Sequence, residues 1–145
     1  MGRQVINDVP VSHISSSLAM GANSVQIMTA SVTLTEHDNG SIIVLGAAAP
    51  GTITLPAVAD SKGYRIKVIT GFALTSNAVV ASAEGDNIEG SMIVAGAVVD
   101  VNAADQINFV NTADNIGDFV ELVCDGTYWH AFGNALTTGA LTATG

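Results

Sequence analysis

A chain of 145 residues has the size of one domain and can bury roughly 68–70% of its unfolded surface, so a self-sufficient core is within reach. Only 12% of residues are charged and 5% aromatic, and 13 acidic residues against 4 basic ones give a net charge of −9. That balance disfavours nucleic acid or an anionic membrane surface as a partner, since one short basic strand in an acidic chain is poor material for the clustered positive footprint they require, and it leaves little charge to cover an exposed surface.

In chain order, residues 1–32 read as an extended N-terminal arm rich in Ser, Asn, Gly and Met, with a candidate helical turn at Ser15–Met20. Arg3 leads to Asp8 and Pro10 rather than to an apolar run, so no export signal is read and synthesis in a cytoplasm is expected. No stretch approaches the roughly 18 uninterrupted apolar residues of a membrane-spanning helix. A β domain is expected over residues 33–133. Thr33–Leu45 carries Asn39-Gly40 as a candidate type I′ turn. Gly51–Pro56 alternates apolar and polar residues, and Pro56 ends it or places it at a sheet edge. In Tyr64–Thr70 the side chains of Tyr64, Ile66 and Val68 point one way and Arg65 and Lys67 the other.

Further strands are read at Ala78–Ala83, Ser91–Val94, Ala97–Val101 and Gln106–Val110. A small-Asp-amide-Ile pattern recurs at Gly85–Ile88, Ala104–Ile107 and Ala113–Ile116. Its unequal spacing argues for turn chemistry, with each Ile opening a strand, rather than for a solenoid repeat. The strongest local signal is Asp125-Gly126, which reads as a two-residue hairpin turn that sets Leu122 opposite Trp129, Glu121 opposite His130 and Phe119 opposite Phe132. Residues 134–145 are an uncharged tail, flexible or docked on a neighbour. Short strands separated by Gly, Asn and Asp clusters predict an all-β fold, a short-stranded antiparallel sandwich or barrel.

Little in the chain points to catalysis or to a cofactor. Cys124 lacks a partner for an internal disulfide and reads as a small buried apolar residue. His13, His37 and His130 fall in separate segments without metal-ligand spacing, and Glu121 with His130 reads as a cross-strand charge pair. Glu84–Gly90 offers oxygen ligands but lacks the spacing of a calcium loop, and reads as a turn. No phosphate cradle is present, and Ser15–Ser17 has no nucleophile-elbow context. With one Trp, the chain offers no aromatic platform for sugars. The directional charge is the basic strip Lys62, Arg65 and Lys67, which reads as a solvated sheet face or as a contact with a neighbour's carboxylates, such as Asp114 or Asp118. The scarcity of charge favours burial against further copies or another protein.

Several pieces, in order, carry a resemblance: Leu34-Thr35 followed by Gly40, Thr52–Pro56 leading to Gly63-Tyr64 and Ile69, Gly85–Ile88, Ile107–Phe109, Gly117-Asp118, and Asp125–Trp129. Over residues 33–133 the chain resembles the small β-structured virion proteins of tailed bacteriophages, which decorate heads or form short fibres. The resemblance implies a homotrimer, a non-enzymatic structural role without cofactor, and a place on the capsid surface as a decoration or cement protein bound to the major capsid protein. The alternative within the class is a fibre, spike or baseplate-associated protein that contacts the host surface, and a carbohydrate-binding module is the reading from outside it. The residues expected at subunit or capsid contacts are Lys62, Arg65, Lys67, Asp114, Asp118, Glu121, Trp129 and His130.

Overall fold

The structure, a computed structural model, describes residues 24–85 and 87–145. The arm up to residue 23, with its candidate turn at Ser15–Met20 and His13, lies outside the described residues. Among the described residues the chain is all-β, with strands gathered into two sheets and two short 3-10 turns, Glu36–Asp38 and Val58–Asp60.

The first six strands alternate between the sheets. Strands β1 (Val25–Met28), β3 (Ile42–Leu45) and β5 (Arg65–Thr70) join the larger sheet, while β2 (Val32–Thr33), β4 (Thr52–Thr54) and β6 (Ala78–Ala81) join the smaller one. The hairpin β7 (Ile88–Val94) and β8 (Ala97–Ala104) adds to the larger sheet, β9 (Gln106–Phe109) to the smaller, and β10 (Phe119–Cys124) and β11 (Trp129–Ala135) to the larger. The last strand, β12 (Leu141–Thr144), closes the smaller sheet. The seven-stranded sheet runs β1-β3-β5-β10-β11-β7-β8 and the five-stranded sheet β12-β9-β6-β4-β2.

The sheets are mixed, not antiparallel as the strand lengths predict: five strand pairings are parallel and five antiparallel. The reason lies in the alternation. A strand that leaves one sheet, passes through the other and returns arrives pointing the way it left, so each crossover delivers a parallel neighbour. Alternation of side chains is the same in parallel and antiparallel strands, so periodicity carries no sign of this.

Inward residues of both sheets bury one apolar cluster. The larger sheet supplies Ile43, Leu45, Ile66, Val68, Met92, Val120, Leu122 and Trp129; the smaller supplies Ile53, Val80, Ile107, Phe109 and Leu141. At about 1.5–3 kcal/mol for each large aliphatic side chain, this burial is the main force opposing chain entropy.

Three boundaries shift from expectation. The first strand among the described residues, Val25–Met28, lies inside the expected arm, where it pairs along β3. The end of the tail is a strand of the fold: Leu141–Thr144 pairs with β9 of its own chain and buries Leu141. Asn39-Gly40 does not form a type I′ hairpin. Asn39 has φ −61° and ψ 129°, its side-chain oxygen accepts the Arg65 N–H at 3.0 Å, and β2 and β3 lie in different sheets.

The closing hairpin also departs from its expected register. Cys124 pairs with Trp129, Val123 with His130, Leu122 with Ala131 and Glu121 with Phe132, leaving a four-residue loop from Asp125 to Tyr128. The Asp125 carboxylate sets this length by accepting the N–H groups of Thr127 at 2.7 Å and Tyr128 at 2.8 Å, while its own N–H donates to the Tyr128 carbonyl. Only Gly126 takes a positive φ there, at 96°. The slip is by two residues, an even number, so every side chain keeps its expected face. The two-residue turn with both φ values positive lies instead at Ala95 (φ 52°) and Gly96 (φ 80°), between the paired residues Val94 and Ala97.

Candidate interaction surface

Register places the outward residues of the seven-stranded sheet in continuous cross-strand rows. One row runs Ile27, Val44, Ile69, Phe119, Asn134, Ile93 and Val98; the next runs Val25, Ile42, Lys67, Glu121, Phe132, Ser91 and Asp100. A third, shorter row holds Arg65, Val123, His130 and Glu89. Most of these positions are apolar. Ile27 and Val98, at opposite edges, are each 71% exposed, and Phe132 between them is 51% exposed. Scattered exposed apolar residues are normal; here they lie in continuous cross-strand rows on one sheet face.

Polar groups on the face are arranged unevenly. Lys67 Nζ lies 3.4 Å from Glu121 Oε1 and 4.3 Å from the centre of the Phe119 ring, so its charge is spent within the sheet. Arg65 is exposed, and no carboxylate among the described residues pairs with it. Between β3, β5 and β10 the side chains leave a groove of about 340 Å3, lined by Ile42, Arg65, Lys67, Glu121 and Val123 among others.

His130 Nε2 lies 2.8 Å from Asp125 Oδ2. That contact, then the backbone N–H groups of Tyr128 and Thr127, lowers the Asp125 carboxyl from 3.8 to about 2. Glu121 therefore does not pair with His130; each has a nearer partner, a direct consequence of the two-residue slip.

Other expected contact residues serve the chain's own fold. Trp129 is fully buried, with Nε1–H donating to the Pro56 carbonyl at 3.2 Å, and offers no outer surface. Asp118 is buried and accepts the N–H groups of Asn115 at 2.8 Å and Leu136 at 3.0 Å. Asp114 accepts the Leu74 N–H at 3.0 Å. These two carboxylates hold together the loops at one end of β5, β10 and β11. Lys62 lies in the turn before β5, its aliphatic stem beside Gly126. The loops that Asp114 and Asp118 hold display a second exposed apolar set: Phe72, Ile116 and Leu136.

Of the eight residues singled out from the sequence, the outward face thus gathers Arg65, Lys67, Glu121 and His130. The dominant apolar positions, Phe132, Ile27 and Val98, were not singled out. Phe132 was within reach, because alternation from His130 puts it on the same outward face.

Among the described residues no group of three or more His, Cys, Asp or Glu side chains could hold a metal ion. Glu84 instead accepts the Val58 N–H at 3.0 Å and the Asn87 side-chain amide at 2.9 Å, as a turn residue does. Burial raises the Cys124 thiol above its ordinary value; its Sγ accepts the Gly126 N–H. No helix among the described residues is long and apolar enough to cross a membrane. No protein-family model matches the chain, and no curated protein matches it in sequence.

Proposed function

We propose that this chain is a structural virion protein: a homotrimeric decoration, or cement, protein that binds the major capsid protein on the outside of a tailed-phage shell and stabilises it. The observation that carries the reading is the outward face of the seven-stranded sheet, which exposes Ile27, Phe132 and Val98 on a chain with too few charges to keep such a face in water. The two sheets around one core are read as a β-sandwich whose larger sheet packs against other copies.

The loop end with Phe72, Ile116 and Leu136 then gives the assembly a separate surface for the shell. Many modest contacts repeated over a lattice resist expansion and shear without any one being strong. The role is non-enzymatic and needs no cofactor, in keeping with carboxylates occupied in holding loops.

A second reading, a fibre, spike or baseplate-associated protein that contacts the host surface, draws on the parallel winding of β1 to β6 between the two sheets, a geometry that extends readily by added turns. Addition of the purified protein to shells stripped of it separates the two. Saturable, stoichiometric binding to shells with no binding to host cells or to a glycan array is the expected result; binding to cells and not to shells overturns the decoration reading.

A further inference from the structure

The charge pattern on the outward sheet face is segregated by strand. The flank made by β1, β3 and β5 presents Val25, Ile27, Ile42, Val44 and Ile69 with Arg65 and Lys67, and no carboxylate. The flank made by β7 and β8 presents Ile93 and Val98 with Glu89 and Asp100, and no cation. The central strands β10 and β11 carry Glu121 and His130, already engaged with Lys67 and Asp125. On this face, Arg65 on one flank and Glu89 and Asp100 on the other have no ion-pair partner among the described residues.

We infer that this face is the self-association surface, and that the basic flank of one copy packs against the acidic flank of the next. The inference rests on the reading of the protein as an oligomer and names the surface that builds it. Three features select a second copy as occupant. Apolar rows on the two flanks match in kind, Ile27, Val44 and Ile69 against Ile93 and Val98. Each flank carries the charge the other lacks, so the face is complementary to itself and not to a uniformly acidic or basic partner. A contact between two different flanks also leaves a free flank on each copy, and such head-to-tail contacts close into rings such as trimers.

The test uses sedimentation velocity on the full chain across a concentration series, with the emission of the buried Trp129 as a check on folding. Arg65→Glu and Asp100→Lys are each expected to weaken association about three- to tenfold at low salt, less at high salt, and the double variant carrying both to recover most of the loss. Val98→Asp, on the acidic flank, is expected to leave a folded monomer, and Leu136→Glu, at the loop end, to leave association unchanged. A wild-type protein that stays monomeric at about 100 µM overturns the inference. So do charge reversals without effect, or a double variant no better than the weaker single one. Failure here is distinct from failure of the proposed function: a monomer that still binds shells removes this surface assignment alone, and an oligomer that ignores shells removes the decoration role alone.

Discussion

Trp129 sits fully buried in the common core, and its indole N–H reaches the Pro56 carbonyl at the end of β4. Trp129→Ala is expected to cost about 3–5 kcal/mol of folding stability, read by urea denaturation, through lost burial and the cavity left behind. Its effect falls on each chain and not on subunit contacts, so the stability loss should be the same at all protein concentrations. Thr70 offers the opposite case. Its buried hydroxyl has no hydrogen-bond partner among the described residues, while the alternation of β5 requires an inward side chain at that position. Thr70→Val keeps the shape and removes the unpaired oxygen, and is expected to stabilise by about 1 kcal/mol in the same assay. Cys124 is buried and its thiol is raised, first by desolvation. Thiol reagents at neutral pH are therefore expected to label it only as the protein unfolds; rapid labelling of the native protein would contradict that placement.

At the scale of elements, the closing hairpin rests on one carboxylate. Asp125 titrates at about 2 because His130 and two backbone N–H groups favour its charged form. Its folded value lies below 3.8, so its contribution to stability is present above that pH and is lost as pH falls through about 2. Asp125→Asn, which keeps an oxygen for the Thr127 and Tyr128 N–H groups, should disturb the loop less than Asp125→Ala; equal melting temperatures for the two variants would contradict the loop-closing role. Gly90 is the other critical element residue. Its φ is 138°, and a Cβ there would lie 2.1 Å from the Ala131 carbonyl oxygen on the neighbouring strand β11. Gly90→Ala is expected to separate β7 from β11 and to lower the melting temperature sharply.

Inward and outward faces were legible for Tyr64–Thr70 and for both closing strands, because alternation depends only on neighbours in the chain. Register was not, because the side-chain acceptor of Asp125 lengthens the loop in a way that Asp-Gly alone does not announce. Ile88 and Ile107 enter strands as the recurring Asp-amide-Ile pattern predicts, but Ile116 stays exposed in a loop because Asp118 folds back on Asn115. The tail strand, Leu141-Thr-Ala-Thr144, alternates only weakly because Ala and Thr differ little in hydropathy, and it forms through backbone pairing with β9.

Across the whole molecule, the parallel winding of six strands, the hairpin β7–β8 and the closing hairpin β10–β11 produce two surfaces of different kind. One is a broad sheet face, apolar and split by charge; the other is a compact loop end with three exposed apolar side chains. The proposed division of labour, copies on the face and shell on the loops, predicts that Leu136→Glu weakens shell binding at least tenfold while self-association is retained. Parallel pairing was beyond what composition and periodicity reveal, yet both surfaces derive from features that the sequence does display, the scarcity of charge and the alternation along β11. The most direct measurement of the central claim is the number of copies in each phage particle, by quantitative mass spectrometry against the major capsid protein. The account predicts hundreds of copies, in fixed ratio to the capsid protein; a handful per particle, or none, would contradict it.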